Sequence, residues 1–322
     1  MDQQLQVQSS TRGTLRYSRR GRRGSILLVA LHRPHVKNAI NDDCYLDLAD
    51  LLHETAQDSS ISALVLTGTG SYFSSGADLA DQSLTAKSSS SSSSSRGRNS
   101  VQRPVGRFMF QLLSYPKLLA AAVNGPAVGI GVTILLHCDL VWCSETATFW
   151  TPFSRIALVP ELCSSVTFLQ RMGLAKANEL LLLGTKIDAT TALQWNLCSR
   201  IIPSSSTSQG ISIDDPFHPP DQPLTSLAMQ MVNEIDEKLL SLPFGHETAQ
   251  LFVSMVRGRQ QALMKSICQE ELILMDQRFD SGQVVTAVAH LRGVRDDTNT
   301  HKKTNKKHNN DTNTQRRPRS KL

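Results

Sequence analysis

The 322-residue chain lacks the patterns that mark metal centres and export. Its six cysteines form no Cys-x-x-Cys pair and no Cys/His cluster with zinc spacing. This excludes the common zinc sites and favours reduced, buried thiols in a reducing compartment. The N-terminus is polar and Arg-rich, with no apolar segment of the secretory-signal type.

The chain also lacks an uninterrupted apolar run long enough to span a membrane. The longest candidate, residues 118–136, has strong helix breakers and a polar residue in its middle: Asn124, Gly125, Pro126, Gly129 and Gly131. We therefore interpret this run as a buried strand, a glycine-rich turn and the start of a buried helix, and we expect no membrane span.

Aromatic residues are scarce, at 5% of the chain. The basic charge is concentrated at the two ends: residues 1–24 carry about +5 and residues 298–322 about +7, which leaves the body at about −6. Tails of this composition are typical of solvated, disordered segments. The C-terminal tail has no aromatic residue that could stack on bases, so nucleic acid is not a favoured partner.

The order of the predicted elements indicates an α/β body followed by a helical region. Strand Ser25–Leu31, helix Asn38–Glu54 with Asn41 as its N-cap, and strand Ile61–Thr67 form a βαβ unit. Amphipathic helices are predicted over Pro223–Leu242 and Glu247–Arg278. The predicted organisation is a disordered tail over 1–24, a core over 25–203 with a mobile polyserine loop at 82–100, a linker over 204–223, helices over 224–295 and a disordered basic tail over 296–322.

Two glycine-containing turns each follow a predicted buried strand, at residues 72–79 and 124–133. Such turns can leave a backbone N–H group unpaired and directed at a ligand. Two converging N–H groups would polarise a carbonyl oxygen and stabilise an enolate. Tight turns with a purely structural role remain the alternative interpretation.

Glu161 is a single acid in the apolar stretch that runs from Leu158 to Leu162. One carboxylate in an apolar setting suits a reaction that moves a proton within one substrate, because burial raises its pKa and strengthens it as a base. A structural alternative also exists, since Pro160-Glu161 followed by Ser164-Ser165 could simply open a helix.

These turns and the acid stand in an order that resembles the enoyl-CoA hydratase/isomerase (crotonase) superfamily over about residues 25–295. The resemblance implies a ClpP-like spiral of ββα units, a fatty acyl-CoA substrate, no separate cofactor because coenzyme A is part of the substrate, no metal, and a homotrimer or hexamer. Five blocks carry it: His32-Arg33-Pro34 with Asn38-Ala39, Ser75-Gly76-Ala77-Asp78-Leu79, Asn124-Gly125 to Gly131, Cys138-Asp139, and Gly184-x4-Ala189.

The resemblance also assigns residues to the site. The oxyanion hole would be formed by the backbone N–H groups of Ala77 and Ile130, and the catalytic base would be Glu161. Hydratases of the superfamily carry acids where this chain has Thr133 and Phe153, so water activation has no evident base. The remaining substrate-binding residues implied are Ser75, Gly76, Asp78, Leu79, Gly129 and Phe153.

Within the superfamily, the stretch Thr151–Ser165 resembles that of peroxisomal Δ3,Δ2-enoyl-CoA isomerases. This implies an isomerase that converts 3-enoyl-CoA to trans-2-enoyl-CoA in the β-oxidation of unsaturated fatty acids. Relatives commonly carry Gly after the catalytic Glu, where this chain has Leu162. A requirement for positive φ or for space at that position would affect how the carboxylate is placed.

The C-terminal Ser320-Lys321-Leu322 matches a peroxisomal address that is read by an import receptor. We therefore expect the peroxisomal matrix as the location, with the mitochondrion as a second site that the Arg-rich N-terminus leaves open. Two functional alternatives stay open as well. One is another crotonase-fold acyl-CoA enzyme, a hydratase or a thioesterase, and the other is a non-catalytic relative that binds acyl-CoA or RNA.

Overall fold

The computed structural model describes residues 6–79, 99–203 and 225–291. Three predicted segments lie outside these residues: the polyserine loop apart from residues 99 and 100, the linker over 204–223, and the basic tail over 296–322 with its Ser320-Lys321-Leu322 end. The described residues have an α/β architecture with helices after the sheet, as the sequence predicts.

A seven-stranded mixed sheet forms the centre of the body, in the order β1-β2-β3-β4-β5-β7-β10. From β3 to β10 the neighbouring strands are parallel, while β1 and β2 are antiparallel additions at one edge. Its strands are β1 Gln8–Ser9, β2 Leu15–Arg20, β3 Ile26–Leu31, β4 Ala63–Gly68, β5 Leu118–Val123, β7 Leu140–Ser144 and β10 Arg200–Ile202.

The parallel strands read as continuous apolar runs because both faces of the sheet are covered. In β3, Leu27, Val29 and Leu31 join the larger core. The alternate side chains of the same strand, Ile26, Leu28 and Ala30, pack on the opposite face against the helix that begins the C-terminal region. The strands predicted from such runs are therefore confirmed, with ends that differ by one or two residues.

The prediction that residues 1–24 are disordered is wrong for the part that the structure describes. Strand β2 pairs with β3 along all six of its residues, from Leu15 opposite Leu31 to Arg20 opposite Ile26. Leu15 is fully buried. Several of the arginines that suggested a solvated tail have acidic partners instead, such as Arg12 with Asp47 at 3.1 Å and Arg19 with Asp58 at 2.5 Å.

Helices cover the sheet and complete the body. Asn41 caps the first of them, since its side chain accepts a hydrogen bond from Cys44 N–H at 3.1 Å as predicted. The helices are α1 Asp42–Gln57, α2 Pro104–Leu113, α3 Ile130–Thr133, α4 Ser164–Met172, α5 Leu174–Leu181, α6 Ala189–Gln194, α7 Thr225–Ile235, α8 Gly245–Val256, α9 Gln261–Asp280 and α10 over 283–291, with a π-helical turn Asp236–Leu240 after α7.

The C-terminal region is helical as predicted, but the single helix expected over Glu247–Arg278 is wrong. The segment consists of α8 and α9, separated by a 3-10 turn at Gly258–Gln260. Glycine weakens a helix interior, and Arg257 just before it donates hydrogen bonds to the carbonyl oxygens of Lys117 and His137. The break therefore anchors the helical region to the body.

The apolar run 118–136 is a strand, a turn and a helix start, as interpreted from its sequence. Within the described ranges, no helix combines the length and apolar character that a membrane crossing needs.

A small three-stranded sheet of β6 Ala127–Val128, β8 Thr148–Trp150 and β9 Ile187–Asp188 holds the turn against the body. All six cysteines are unpaired and buried, which agrees with their interpretation as reduced core thiols.

Candidate active site

A cavity of about 460 Å³ lies where the two glycine-containing turns meet the C-terminal helices. Its polar lining includes Lys37, Ser75 and the backbone of both turns. Most of the lining is apolar and comes from α2, the segment around the 3-10 turn Ser154–Ile156, α9 and α10: Val105, Met109, Phe153, Leu158, Met275, Phe279, Val288 and Leu291. This lining suits a ligand with a polar head and an apolar tail.

The first turn is held so that the amide of Ala77 faces the cavity. Ile40 forms a parallel bridge with Ala77: Ile40 N–H donates to Gly76 O and Asp78 N–H donates to Ile40 O, both at 2.9 Å. Because these bonds use the neighbours on either side, the N–H of Ala77 points away from Ile40. Gly76 has φ of 88°, and a Cβ atom there would lie 2.8 Å from Val128 O, so the approach requires glycine.

The second turn presents the amide of Ile130 to the same cavity. Val128 N–H donates to Ser74 O at 2.9 Å, which ties the two turns together, and Gly129 N–H donates to Trp150 O at 2.8 Å. Gly129 has φ of 53° and reverses the chain, so that Ile130 is the first residue of α3. The N–H groups of a first helical turn have no intrahelical partner.

Both amides are available to a ligand. Ala77 and Ile130 line the cavity, and within the described residues neither N–H donates to another protein atom. Two such donors at one end of an apolar cavity can bind an oxygen that carries developing negative charge.

Glu161 lines the same cavity as these turns and is only 5% exposed. Its Oε1 accepts a hydrogen bond from Thr133 Oγ1 at 2.7 Å, whereas its Oε2 has no partner in the described part of the protein. Burial, only partly offset by the Thr133 hydroxyl, raises the pKa of Glu161 to about 8. The side chain thus has one oxygen fixed and one free to exchange a proton near neutral pH.

The turn after Glu161 explains how Leu162 is accommodated. Leu162 has φ of 53° and Cys163 has φ of 59°, so the position does require the left-handed region that favours glycine. Leu162 is nevertheless fully buried and packs in the main core. Its side chain therefore lies away from the cavity, and the carboxylate of Glu161 faces the cavity.

The other residues that the sequence assigns to substrate binding divide into two groups. Asp78 does not line the cavity, because its carboxylate pairs with Arg33 at 3.0 Å and fixes the first turn from behind. The remaining residues are at the cavity wall: Ser75, Gly76, Leu79, Gly129 and Phe153.

The structure brings to the site several residues that were not predicted from the sequence. Thr133 was named only as a position without an acid, yet it is the hydrogen-bond partner of Glu161. Tyr45 and Trp150 also line the cavity. Met275 and Phe279, four residues apart on α9, share one helix face, and this spacing was the available signal for a wall of the cavity. Within the described residues no group of His, Cys, Asp and Glu side chains is arranged to hold a metal ion.

The fold and this site agree with comparisons to known proteins. Residues 21–210 match the enoyl-CoA hydratase/isomerase family, and the chain belongs to that family. An enoyl-CoA hydratase/isomerase from Pseudoalteromonas atlantica T6c has the same fold, with a TM-score of 0.69 and 28% identity, and the match covers 90% of this chain and 96% of the other. The architecture is therefore the crotonase fold, as the sequence resemblance implies.

Two relatives with a higher sequence identity are enoyl-CoA delta isomerases. Enoyl-CoA delta isomerase 2 of Rattus norvegicus is 40% identical over 183 residues, 57% of this chain and 45% of that protein. The peroxisomal enoyl-CoA delta isomerase 3 of Mus musculus is 40% identical over 189 residues, 56% of this chain and 55% of that protein. The chain thus spans about half the length of these relatives.

Proposed function

We propose that this protein is an isomerase that converts 3-enoyl-CoA to trans-2-enoyl-CoA. One observation carries the proposal: among the described residues that line the cavity, Glu161 is the only acid, and one of its oxygens is unpaired. The two places where the superfamily's hydratases carry acids hold Thr133 and Phe153. The 40% identity to proteins named enoyl-CoA delta isomerase supports the same choice.

The first step removes a proton from C2 of the substrate. The thioester oxygen binds between the N–H groups of Ala77 and Ile130, which lowers the pKa of the C2 protons by stabilising the enolate. Glu161 Oε2 takes one of these protons, and the electron pair of the C–H bond moves into the conjugated dienolate. Each well-placed oxyanion donor can lower the barrier by about 3 kcal/mol.

The second step returns the same proton to C4. The C3–C4 double bond becomes single, the C2–C3 bond becomes double, and Glu161 is ionised again, so atoms and charge balance. One base suffices because C2 and C4 lie on the same face of the bound dienolate. The apolar surroundings, with Phe153 and Leu158 on the wall, keep water away from the intermediate.

The base strength of Glu161 fits this task. A carboxylate with a pKa near 8 is a much stronger base than an exposed one, and it can both accept and release a proton near neutral pH. Thr133 holds Oε1 and thereby directs Oε2 to the substrate. Coenzyme A enters as part of the substrate, and the proposal needs no separate cofactor.

The biological setting is proposed on separate grounds. The relative named as peroxisomal supports a peroxisomal location and a role in the β-oxidation of unsaturated fatty acids. We also propose a homotrimer or hexamer, as the family resemblance implies. Large exposed apolar side chains on α8 support a subunit contact there: Leu251, Phe252, Met255 and Val256.

Two incubations of the purified protein test the function. We expect conversion of 3-enoyl-CoA to trans-2-enoyl-CoA, followed as new absorbance of the conjugated thioester, and no loss of that absorbance when trans-2-enoyl-CoA is the starting material. Hydration of trans-2-enoyl-CoA without isomerisation would favour a hydratase. Release of free CoA would favour a thioesterase, and no turnover of either compound would favour a binding protein.

A further inference from the structure

A second buried carboxylate is hydrogen-bonded to the turn that follows Glu161, residues 162–165, which we call the catalytic turn. Glu271 on α9 is 6% exposed and does not line the cavity. Its Oε2 accepts a hydrogen bond from Cys163 N–H at 2.6 Å, and its Oε1 accepts from Ser165 N–H at 3.1 Å and from Ser165 Oγ at 2.5 Å. Burial raises the pKa of Glu271, and the three hydrogen bonds partly offset this shift by favouring the ionised form.

The segment that Glu271 contacts is strained and needs support. Leu162 and Cys163 are consecutive non-glycine residues in the left-handed region, which is sterically unfavourable for a residue with a Cβ atom. Helix α4 begins at the next residue, and its first N–H groups have no intrahelical acceptor. A carboxylate at this position satisfies those donors and interacts favourably with the helix dipole.

His137 holds the same peptide bond from its other side. Desolvation lowers the pKa of His137 to about 4, so the ring is neutral at physiological pH. Its Nε2 lies 2.8 Å from Leu162 O, in position to donate a hydrogen bond to that carbonyl. The peptide unit that joins Leu162 to Cys163 therefore has its carbonyl bound by His137 and its N–H bound by Glu271, one residue after the catalytic acid.

We propose that Glu271 is a positioning residue for Glu161, acting through the Leu162–Cys163 peptide unit that it holds together with His137. The inference rests on the proposed isomerase function. Glu161 is bound to the same turn, since its N–H donates to Ser164 Oγ and its carbonyl oxygen accepts from Ser164 N–H, each at 3.0 Å. Holding the next peptide plane at both ends therefore restricts the backbone that carries the Glu161 side chain. Glu271 lies on the helix that also supplies Met275 and Phe279 to the cavity wall, so one helix sets the position of both the base and the wall.

Glu271 also acts on Glu161 by charge. Among the described groups, those that interact electrostatically with Glu161 are Tyr45 on α1, and Cys268 and Glu271 on α9. Burial raises the pKa of Tyr45 well above the working pH, and the side-chain hydrogen bond with Cys163, together with burial, does the same for the pKa of Cys268, so both groups are neutral. The negative charge of Glu271 raises the pKa of Glu161, and its removal should lower that pKa.

Glu271→Gln is the direct test, with Glu270→Gln as its matched control. Glu270 is the adjacent residue on the same helix and is exposed. In Glu271→Gln, an NH2 group replaces one oxygen and faces the N–H of either Cys163 or Ser165, so the turn loses one of its two carboxylate acceptors. We expect kcat on 3-enoyl-CoA to fall about 10- to 100-fold with KM within about twofold. The apparent pKa of the acid limb, the rise of kcat/KM with pH, should move downward. Glu270→Gln should match wild type in kcat, KM and this apparent pKa.

A residue with only a structural role would lower the melting temperature without moving the acid limb. If wild type is active and Glu271→Gln has the same kcat and the same acid limb as Glu270→Gln, the role of Glu271 is overturned while the proposed function stands. A wild type that does not isomerise 3-enoyl-CoA would overturn the proposed function and the inference with it.

A second pair of variants covers the case in which Glu271→Gln does not fold. His137→Leu removes the donor to Leu162 O, whereas His137→Gln keeps an N–H group on a side chain of similar reach. We expect kcat to fall in His137→Leu and to be largely retained in His137→Gln, again with little change in KM. Equal kcat for these two variants would contradict the role assigned to the peptide unit.

Discussion

Glu161 combines three features that rarely occur together in one side chain. It is buried, one oxygen is bound by Thr133, and the other has no partner in the described residues. Burial alone would leave a protonated acid, and a full set of hydrogen bonds would leave an ionised but occupied one. The single bond from Thr133 gives an acid that can ionise close to neutral pH and still reach a substrate.

This environment predicts the pH dependence of the reaction. In the proposed isomerisation Glu161 must be ionised to accept the C2 proton, so kcat/KM should rise with pH to a plateau, with an apparent pKa near 8. Thr133→Val removes the hydrogen bond that lowers this pKa, so its acid limb should move to higher pH, whereas Thr133→Ser should keep the wild-type profile. An acid limb near pH 4.5 in the wild type would contradict the assignment.

Leu162 offers a second test through its backbone conformation. Its buried side chain should contribute several kcal/mol, so both Leu162→Ala and Leu162→Gly should lower the free energy of unfolding, by roughly 2–5 kcal/mol. Because φ is positive, the glycine variant should be the more stable of the two by about 1 kcal/mol, the reverse of the usual order. Denaturant unfolding measures the difference, and an alanine variant more stable than the glycine variant would contradict the conformation.

Among the elements, those buried on two faces were predictable from sequence. Strands such as β3 and β5 are apolar throughout, and Asn41 marks the start of α1 by its capping chemistry. Strand β2 was missed because its arginines suggested a solvated tail, and the acid that pairs with Arg19, Asp58, lies far away in the chain. The missed features thus depend on long-range partners.

The residues of the site also divide into those with a local sequence signal and those with only long-range partners. The turns around Ala77 and Ile130 carry local glycine signals, and Glu161 stands out in its apolar stretch. Glu271, by contrast, lies 108 residues from Cys163 and sits on a helix in which acids are common, so no local pattern distinguishes it. Its contacts with the catalytic turn become visible only in the folded chain.

Strand β2 predicts a stability effect at the N-terminus. Leu15→Ala should lower the free energy of unfolding by roughly 2–4 kcal/mol, because Leu15 is fully buried in the main core. Gln8→Ala is the control on the same edge of the sheet, since Gln8 is exposed and should change stability by less than about 0.5 kcal/mol. Thermal or denaturant unfolding distinguishes them, and a neutral Leu15→Ala would support a disordered N-terminus.

In the molecule as a whole, the cavity depends on parts of the chain that are remote in sequence. The two turns after β4 and β5 supply the amides, the segment before α4 supplies the base, and α2, α9 and α10 supply much of the apolar wall. The parallel sheet places both turns at the same ends of adjacent strands. The fold therefore brings an acid, two donors and an apolar chamber together without a metal-binding cluster among the described residues.

The most direct test compares wild type and Glu161→Gln on trans-3- and cis-3-enoyl-CoA. Glutamine keeps the shape of the side chain and the bond from Thr133 but cannot carry the proton, so kcat should fall by about 10²- to 10⁴-fold with little change in KM. The variant should fold at least as well as wild type at pH 7. Between the unfolded pKa of Glu161 and about 8, the unfolded state ionises while the buried acid stays protonated, and this difference lowers wild-type stability as pH rises. Equal rates for the two proteins would remove Glu161 from the mechanism and contradict the single-acid account.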